Sequence, residues 1–286
     1  MIFDSELPLP ELHPVAGDPV ATVRRGTLEH DEHMIPMSLR MGRRRVERDL
    51  ARLVYDGIGA LEVKAGREIV VEAAPGASGE QLRAMILGPG LAFLLHQRGH
   101  LALHASGILM AGRAHLFLGQ PGAGKSTLAA ACRRAGMTVL TDDLAAIEIA
   151  AGSPVLHPGV PMLKLTPAAA TFLGEEDRAV VPLGFARQKR GRPIEPAGER
   201  PFPLAAIHVL AEGRRVERER IASLDAIAEL VRHSFLARVL LDSGTAGEHL
   251  GQCARVVSGV PIDRLRRPRD LTRLDEAVRI VAQDPA

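Results

Sequence analysis

The segment from Gly119 to Ser126 carries the residues best suited to bind phosphate. It matches the pattern G-x-x-x-x-G-K-[ST] at every fixed position, between an apolar run and an alanine-rich run. Glycines let backbone N–H groups turn toward an anion, and the dipole of the following helix favours negative charge. We therefore predict a phosphate loop rather than a chance glycine-rich turn. Its residues are Gly119, Gln120, Pro121, Gly122, Ala123, Gly124, Lys125, Ser126 and Thr127.

Within this loop, two side chains have distinct chemistry. Lys125 is expected to reach the β- and γ-phosphates of a nucleotide, and the hydroxyl of Ser126 to help hold Mg²⁺. The chain has only four lysines, and its other positive charges are arginines. A lysine inside the motif is therefore informative, because arginine cannot replace a compact ammonium group.

Two acidic residues, Asp142 and Asp143, follow the apolar segment 137–141. The order strand, loop, helix, strand predicts a parallel pair in which this segment lies beside the strand that precedes the loop. Ligands gather at the carboxyl ends of parallel strands, so the two acids should face the nucleotide. One carboxylate could accept a proton and the other could hold Mg²⁺. A turn or helix cap that simply favours aspartate is the alternative.

Two strands are predicted before the phosphate loop, and His104 and Ser106 lie in the first of them, which is apolar. A single histidine in such a strand is more often a buried core residue than a catalyst. From the pattern of residues alone, both interpretations stay open for each of the two side chains.

Three segments together resemble the catalytic core of the HPr serine kinase/phosphorylase family. They are 103–106, the loop 119–126 and Thr141-Asp142-Asp143, and the resemblance covers roughly residues 101–149. It implies that the loop binds ATP with Mg²⁺, that His104 lies beside the site, and that Asp142 is the general base acting on a serine. It also implies catalytic roles for Asp142, His104 and Lys125, and metal binding by Ser126 and Asp143.

The family's glycine-containing signature segment is not found, and residues 158–165 stand at its place. The N-terminal region and the ending Pro261–Leu265 look more like HPr-kinase-like proteins of peptide-modification clusters. Some of these resemble kinases that tailor lasso-peptide precursors. The resemblance therefore implies a peptide or protein with an acceptor serine as the partner, rather than HPr.

The fold class that follows is α/β, a P-loop core of HPr-kinase type with a mixed sheet and flanking helices. A small mixed α/β region, 1–98, precedes the catalytic domain, 99–286. In the N-terminal region, a helix is predicted over 78–95, broken at Gly88-Pro89-Gly90. In the catalytic domain, the segment 187–203 has four prolines and many charges and is predicted to be an exposed loop.

Composition excludes several functions. The net charge is +2 and aromatic residues are 3% of the 286, so a nucleic-acid platform is not predicted. No apolar stretch is long enough to span a bilayer, no secretory signal is recognised, and two cysteines give no disulfide framework. We therefore expect a cytoplasmic protein without a membrane or nucleic-acid partner, and leave open whether it forms a homo-oligomer.

The remaining positive groups have two interpretations each. Lys164 could reach a phosphate or extend from a strand edge to solvent, and solvent is favoured. The segment Lys189–Arg192 could close over a nucleotide or be a solvated loop. A basic run near the C-terminus is interpreted as a solvated face, and its members are Arg264, Arg266, Arg267 and Arg269.

The sequence thus predicts an ATP- and Mg²⁺-dependent serine kinase in which His104 sits next to Asp142 and tunes it. The alternatives are a nucleotide-sensing module that transfers nothing and a kinase for small molecules. A complete set of Lys125, Asp142 and Asp143 argues against a pure sensor, because a sensor needs no base.

Overall fold

The computed structural model describes residues 3–12, 20–29, 31–37, 42–175, 181–182, 189–235, 237, 239–240 and 243–283. The fold is mixed α/β with mixed sheets and flanking helices, which confirms the predicted class. The chain forms two compact units. One comprises 1–100, 182–187 and 235–249, and the other 101–181, 188–234 and 250–286.

The first unit contains a seven-stranded sheet in the order β1-β2-β7-β6-β5-β4-β3. Its predicted helix begins with a capping box between Ser78 and Gln81 and is interrupted by a π-helical turn, 86–90, that holds Pro89. The break therefore falls where the sequence places it. The elements are β1 (Phe3–Ser5), β2 (Ala21–Arg25), β3 (Ile35–Pro36), β4 (Gly42–Val46), β5 (Leu50–Tyr55), β6 (Gly59–Lys64), β7 (Glu68–Ala73), α1 (Gly79–Met85) and α2 (Leu91–Gln97).

The second unit holds the segments that carry the predicted chemistry. Its strands are β8 (Leu101–Leu103), β9 (Ser106–Met110), β10 (Arg113–Leu118), β11 (Thr138–Asp142), β12 (Ala145–Ala150), β13 (Ser153–His157), β14 (Met162–Leu165), β16 (Arg190–Pro193), β17 (Phe202–Glu212), β18 (Glu217–Arg220) and β19 (Ile262–Arg267). Its helices are α3 (Lys125–Arg134), α4 (Pro167–Leu173), α5 (Ser223–His233) and α7 (Leu274–Ala282). Two elements have residues in both units, namely β15 (Val181–Pro182) and α6 (Ala246–Gly259).

Strand order in the main sheet of this unit corrects one prediction. The order is β11-β9-β10-β17-β13-β12-β8, and β19 also pairs with β17. β11 is therefore not the neighbour of β10, because β9 lies between them and is antiparallel to both. The hairpin β9–β10 fills the position that a simple βαβ unit would give to β11. β10 and β11 still point the same way, so the phosphate loop and Asp142 share one edge of the sheet.

The core around α3 fixes the helix that follows the loop. Small and apolar residues of α3 are buried, including Leu128 and Cys132. They pack against side chains of β9, β10 and α7, among them Ile108, Phe117 and Ala277. Burial of this face, rather than helix propensity alone, holds α3 in place.

The segment predicted as an exposed loop, 187–203, is partly a strand. Arg190–Pro193 forms β16 and pairs antiparallel with β14, and β17 begins at Phe202. The prediction relied on proline content, but prolines at strand ends and edges do not prevent pairing. Residues 183–188 lie outside the described part of the chain. In the part that is described, no helix is both long and apolar enough to cross a bilayer.

Two stacked histidines lie in the core, His115 on β10 and His208 on the neighbouring strand β17. The rings of His115 and His208 are parallel, with centroids 5.7 Å apart, and His208 is fully buried. Burial, with the nearby His115, lowers the pKa of His208 from 6.5 to about 3. The folded chain therefore keeps His208 neutral at pH values where the unfolded chain would protonate it.

Acid is expected to destabilise the protein through His208. Above the unfolded pKa of 6.5, neither state binds a proton at His208 and the free energy of unfolding is unaffected. As the pH falls from 6.5 toward 3, only the unfolded state binds this proton, so the free energy of unfolding decreases. At pH 5 the loss should be about 2 kcal/mol. In urea titrations, His208→Phe should make the difference in unfolding free energy between pH 7 and pH 5 smaller. The exposed His33→Phe serves as control, and an unchanged difference in His208→Phe would contradict this assignment.

Candidate active site

The phosphate loop lies between β10 and α3, as the motif predicts. Gly122 and Gly124 both have positive φ, +84° and +89°, which only glycine adopts readily. At Gly124 a Cβ atom would also collide with the guanidinium of Arg267. Gln120 and Pro121 are exposed at the outer side of the loop, whereas Ala123 and Thr127 are half-buried.

The N-terminus of α3 is open toward this loop. Gly124, its N-cap residue, provides no side-chain cap, and the first turn has no acidic residue. The first N–H groups of a helix lack partners within the helix and carry a partial positive charge. The end of this ten-residue helix is therefore suited to an anion.

Lys125 lies against its own loop. Its Nζ donates a hydrogen bond to the carbonyl oxygen of Gly119 at 2.8 Å, and the side chain is buried. Burial, with the nearby positive charge of Lys189, lowers the pKa of Lys125 to about 8, although Asp142 and Asp143 act in the opposite direction. The ammonium group is thus held beside the position that the loop offers to phosphates.

Asp142, at the end of β11, faces the phosphate loop. Its Oδ1 accepts hydrogen bonds from the hydroxyls of Ser126, at 2.9 Å, and of Ser106. Its Oδ2 accepts one from the backbone N–H of Lys164 at 2.8 Å. Burial raises the pKa of this carboxyl, while the hydrogen bond from Ser106 favours its charged form. Three groups, from β9, α3 and β14, fix one orientation of the carboxylate.

The next residue, Asp143, has different partners. Its φ is +88°, a strained value for aspartate, and its N–H donates to the carbonyl of Ala105 at 2.9 Å. Its Oδ1 lies 3.0 Å from Nδ1 of His104, and its Oδ2 accepts from Nζ of Lys164 at 2.6 Å. Burial favours the neutral carboxyl, but His104 and Lys164 prevail and hold the pKa well below its usual range.

These contacts correct the predicted place of His104. The sequence puts this histidine next to Asp142, but its Nδ1 is 3.0 Å from both Oδ1 and the backbone oxygen of Asp143. The reason lies in the backbone. Asp142 is still part of the strand and pairs with Ser106, whereas the left-handed turn at Asp143 directs that residue toward His104.

Three site residues are missed by the sequence prediction or left open. Lys164 extends from β14 onto Asp143 instead of to solvent. Ser106 binds Asp142, which its register pairing on β9 explains. Arg267, predicted on a solvated face, is buried against the loop, and its Nη2 donates to the carbonyl of Ala123 at 3.0 Å. For Lys164, the scarcity of lysine in the chain is a signal that could have pointed to it.

The donor set at Ser126 and Asp142 fits Mg²⁺. A hydroxyl and a carboxylate are the hard oxygen ligands that this ion prefers, and Mg²⁺ usually takes only one or two protein groups beside substrate phosphates. They are already within hydrogen-bond distance of each other at the mouth of a loop suited to phosphates. Asp143, which the sequence assigns to the metal, is paired with Lys164 and His104.

Comparison with known proteins adds little. No protein-family model and no curated protein matches the chain. Among solved structures, the Hpr(Ser) kinase/phosphatase from Coxiella burnetii is similar over 63% of this chain and 93% of that chain, with a TM-score of 0.33 and 10% identity. At this level of similarity, the function has to be inferred from the residues of the site.

Proposed function

We propose that this chain is an ATP- and Mg²⁺-dependent kinase that transfers phosphate to a serine hydroxyl of a peptide or protein. One observation carries the proposal: two adjacent carboxylates at the phosphate loop have separate partners. Asp142 holds Ser126, and Asp143 binds His104 and Lys164. Binding a nucleotide requires only the pair of Asp142 and Ser126. Transferring its phosphate also uses a group that faces the acceptor.

The nucleotide would be held by the loop. Its backbone N–H groups, the α3 N-terminus and Lys125 bind the phosphates, and Ser126 with Asp142 would hold Mg²⁺. Bound there, the ion would neutralise negative charge on the phosphates. The contacts of Asp142 and Asp143 favour a division of roles opposite to the one implied by the family resemblance, with Asp142 toward the metal and Asp143 toward the acceptor.

Asp143 would orient the acceptor hydroxyl and take its proton. Its side chain is partly exposed, at 31%, whereas Asp142 as a residue is only 5% exposed. A strongly acidic carboxyl is a weak base, but phosphoryl transfer depends mainly on position and charge, and its transition state is loose. His104 and Lys164 would keep Asp143 charged and aimed.

The acceptor class rests on the sequence resemblance to HPr-kinase-like peptide-tailoring proteins. A serine of a precursor peptide, of the lasso-peptide kind, is the first acceptor to test. A kinase for small hydroxyl compounds is the alternative, so the acceptor panel must include such compounds.

Transfer from labelled ATP with Mg²⁺ tests the proposal directly. Wild type and Lys125→Met are incubated with serine-containing precursor peptides, HPr and small hydroxyl compounds. Label on a peptide or protein serine from wild type alone supports the proposal. ATP binding without transfer to any acceptor would contradict it and favour a nucleotide sensor, whereas label only on small molecules would indicate a different kinase.

Gly159→Ala is expected to slow this transfer by about 10-fold or more, since small displacements of catalytic groups are costly. A Cβ at Gly159 would approach Cβ of Thr141 to 2.8 Å, and the Thr141 hydroxyl closes the turn onto Leu144. The turn that carries the two carboxylates would shift. Steady-state kinetics measure the effect. Gly251→Ala, on α6 with open space around it, is the matched control. Equal kcat for both variants would contradict the prediction.

A further inference from the structure

Arg267 lies at the same edge of the sheet as the phosphate loop. It is the last residue of β19, which is parallel to β17, and β17 is parallel to β10. The carboxyl ends of the three strands therefore meet there. The side chain is buried, and its two terminal nitrogens donate to backbone oxygens, Nη2 to Ala123 at 3.0 Å and Nη1 to Pro268 at 3.2 Å.

The charge of Arg267 has no counter-ion among the described residues. No carboxylate contributes to the shift of its pKa, and its buried Nε has no hydrogen-bond partner. Burial, together with the like charge of Arg269, lowers its pKa. The other arginines of the same run are each paired with an acid, namely Arg264 with Glu229, Arg266 with Glu217 and Arg269 with Glu212.

A buried cation without a counter-ion is costly, and such groups are normally paired. The features of the loop show which anion would meet it. The guanidinium lies against Gly124, where a side chain would collide with Nη2, and Gly124 begins the uncapped helix α3. The unpaired cation and the open helix end therefore face the same small region.

We propose that Arg267 is the second cationic residue of the nucleotide site, after Lys125, and that the phosphates of the bound nucleotide are its counter-ion. The inference rests on the nucleotide-binding part of the proposed function and is independent of the acceptor. Arg267 thus increases affinity for a polyphosphate through its charge and its fork of donors.

A purely structural brace makes a different prediction. If Arg267 only supported the loop, its removal would lower the stability of the nucleotide-free protein and leave the affinity for ATP unchanged. If the charge of Arg267 has no counter-ion in the nucleotide-free protein, removing Arg267 also removes an unpaired buried charge, so the Tm of that protein is unchanged. The rise in Tm that Mg²⁺-ATP causes then becomes smaller.

The experiment measures Kd for Mg²⁺-ATP by calorimetry, and Tm with and without it, for Arg267→Met, Arg267→Lys and Arg269→Met. Arg267→Met should raise Kd at least about 10-fold, as expected for loss of a charged hydrogen-bonding group. The Kd of Arg267→Lys, which keeps the positive charge but lacks the planar set of donors, should lie between those of wild type and Arg267→Met. Arg269→Met removes the same charge from an exposed neighbour and should stay within about twofold of wild type.

Two results would overturn the inference, and they are distinguishable. If wild type binds ATP and the Arg267 variants bind it equally well, Arg267 is only a brace and the proposed function stands. If wild type binds no ATP, the proposed function and this inference fail together. Should Arg267→Met not fold, the ratio of Kd between Arg267→Lys and wild type decides by the same criterion.

Discussion

Asp143→Asn is expected to lower kcat for phosphate transfer by about 10²- to 10⁴-fold, the range typical for loss of a general base. Asparagine has nearly the same shape and tolerates the left-handed backbone at this position, where φ is +88°. It can still bind His104, but it cannot accept the proton of a hydroxyl. Because the loop and Asp142 are unchanged, the Kd for Mg²⁺-ATP should stay within roughly threefold of wild type.

Asp142→Asn provides the matched comparison, one residue away. Asp142 contacts Ser126 rather than His104, so its loss should mainly raise the Mg²⁺ concentration needed for half-maximal rate. Titrating Mg²⁺ at saturating acceptor separates the two variants. If Asp142→Asn abolishes kcat without a change in Mg²⁺ dependence, and Asp143→Asn retains kcat, the roles implied by the family resemblance are right and the present assignment is wrong.

The parts of the site that the sequence predicts are local ones. The loop 119–126 forms between β10 and α3 because its glycines, its lysine and the flanking apolar runs all act within a few residues of one another. The break in the helix at Pro89 has the same origin, since proline cannot donate its backbone N–H. Such features depend on backbone preferences that a short segment already contains.

The parts that the sequence does not predict depend on pairing over long distances. β9 enters between β10 and β11, which sets Ser106 opposite Asp142. β14 delivers Lys164 to Asp143 across 21 residues. β19 brings Arg267 to Ala123 across 144 residues. In each case, the residue type alone allows a solvated or a buried role, and strand order decides between them.

The division of labour between the two carboxylates has a similar origin. Asp142 and Asp143 are chemically identical and adjacent, so no pattern of residue types could separate them. One backbone angle at Asp143 directs it away from Ser126 and toward His104. A single left-handed residue thus produces two environments, one that raises the pKa of a carboxyl and one that lowers it.

Lys125→Met is expected to raise Kd for Mg²⁺-ATP by about 10- to 100-fold, which corresponds to loss of a hydrogen bond to a charged group. Methionine matches the length of the lysine stem and stays buried. It removes an ammonium group whose pKa burial has already lowered to about 8, so the nucleotide-free protein should keep its Tm. Calorimetry and thermal unfolding on the same samples measure both effects.

Lys189→Met is the control for Lys125→Met, because Lys189 contributes positive charge near Lys125 but stands outside the loop motif. A general electrostatic attraction would make the two variants lose affinity equally, and this loss would disappear at high salt. A specific contact with phosphate predicts a large loss in Lys125→Met alone that persists at high salt, because a buried charge is poorly screened. Equal losses in both variants would mean that Lys125 acts through the general field and not as a phosphate ligand.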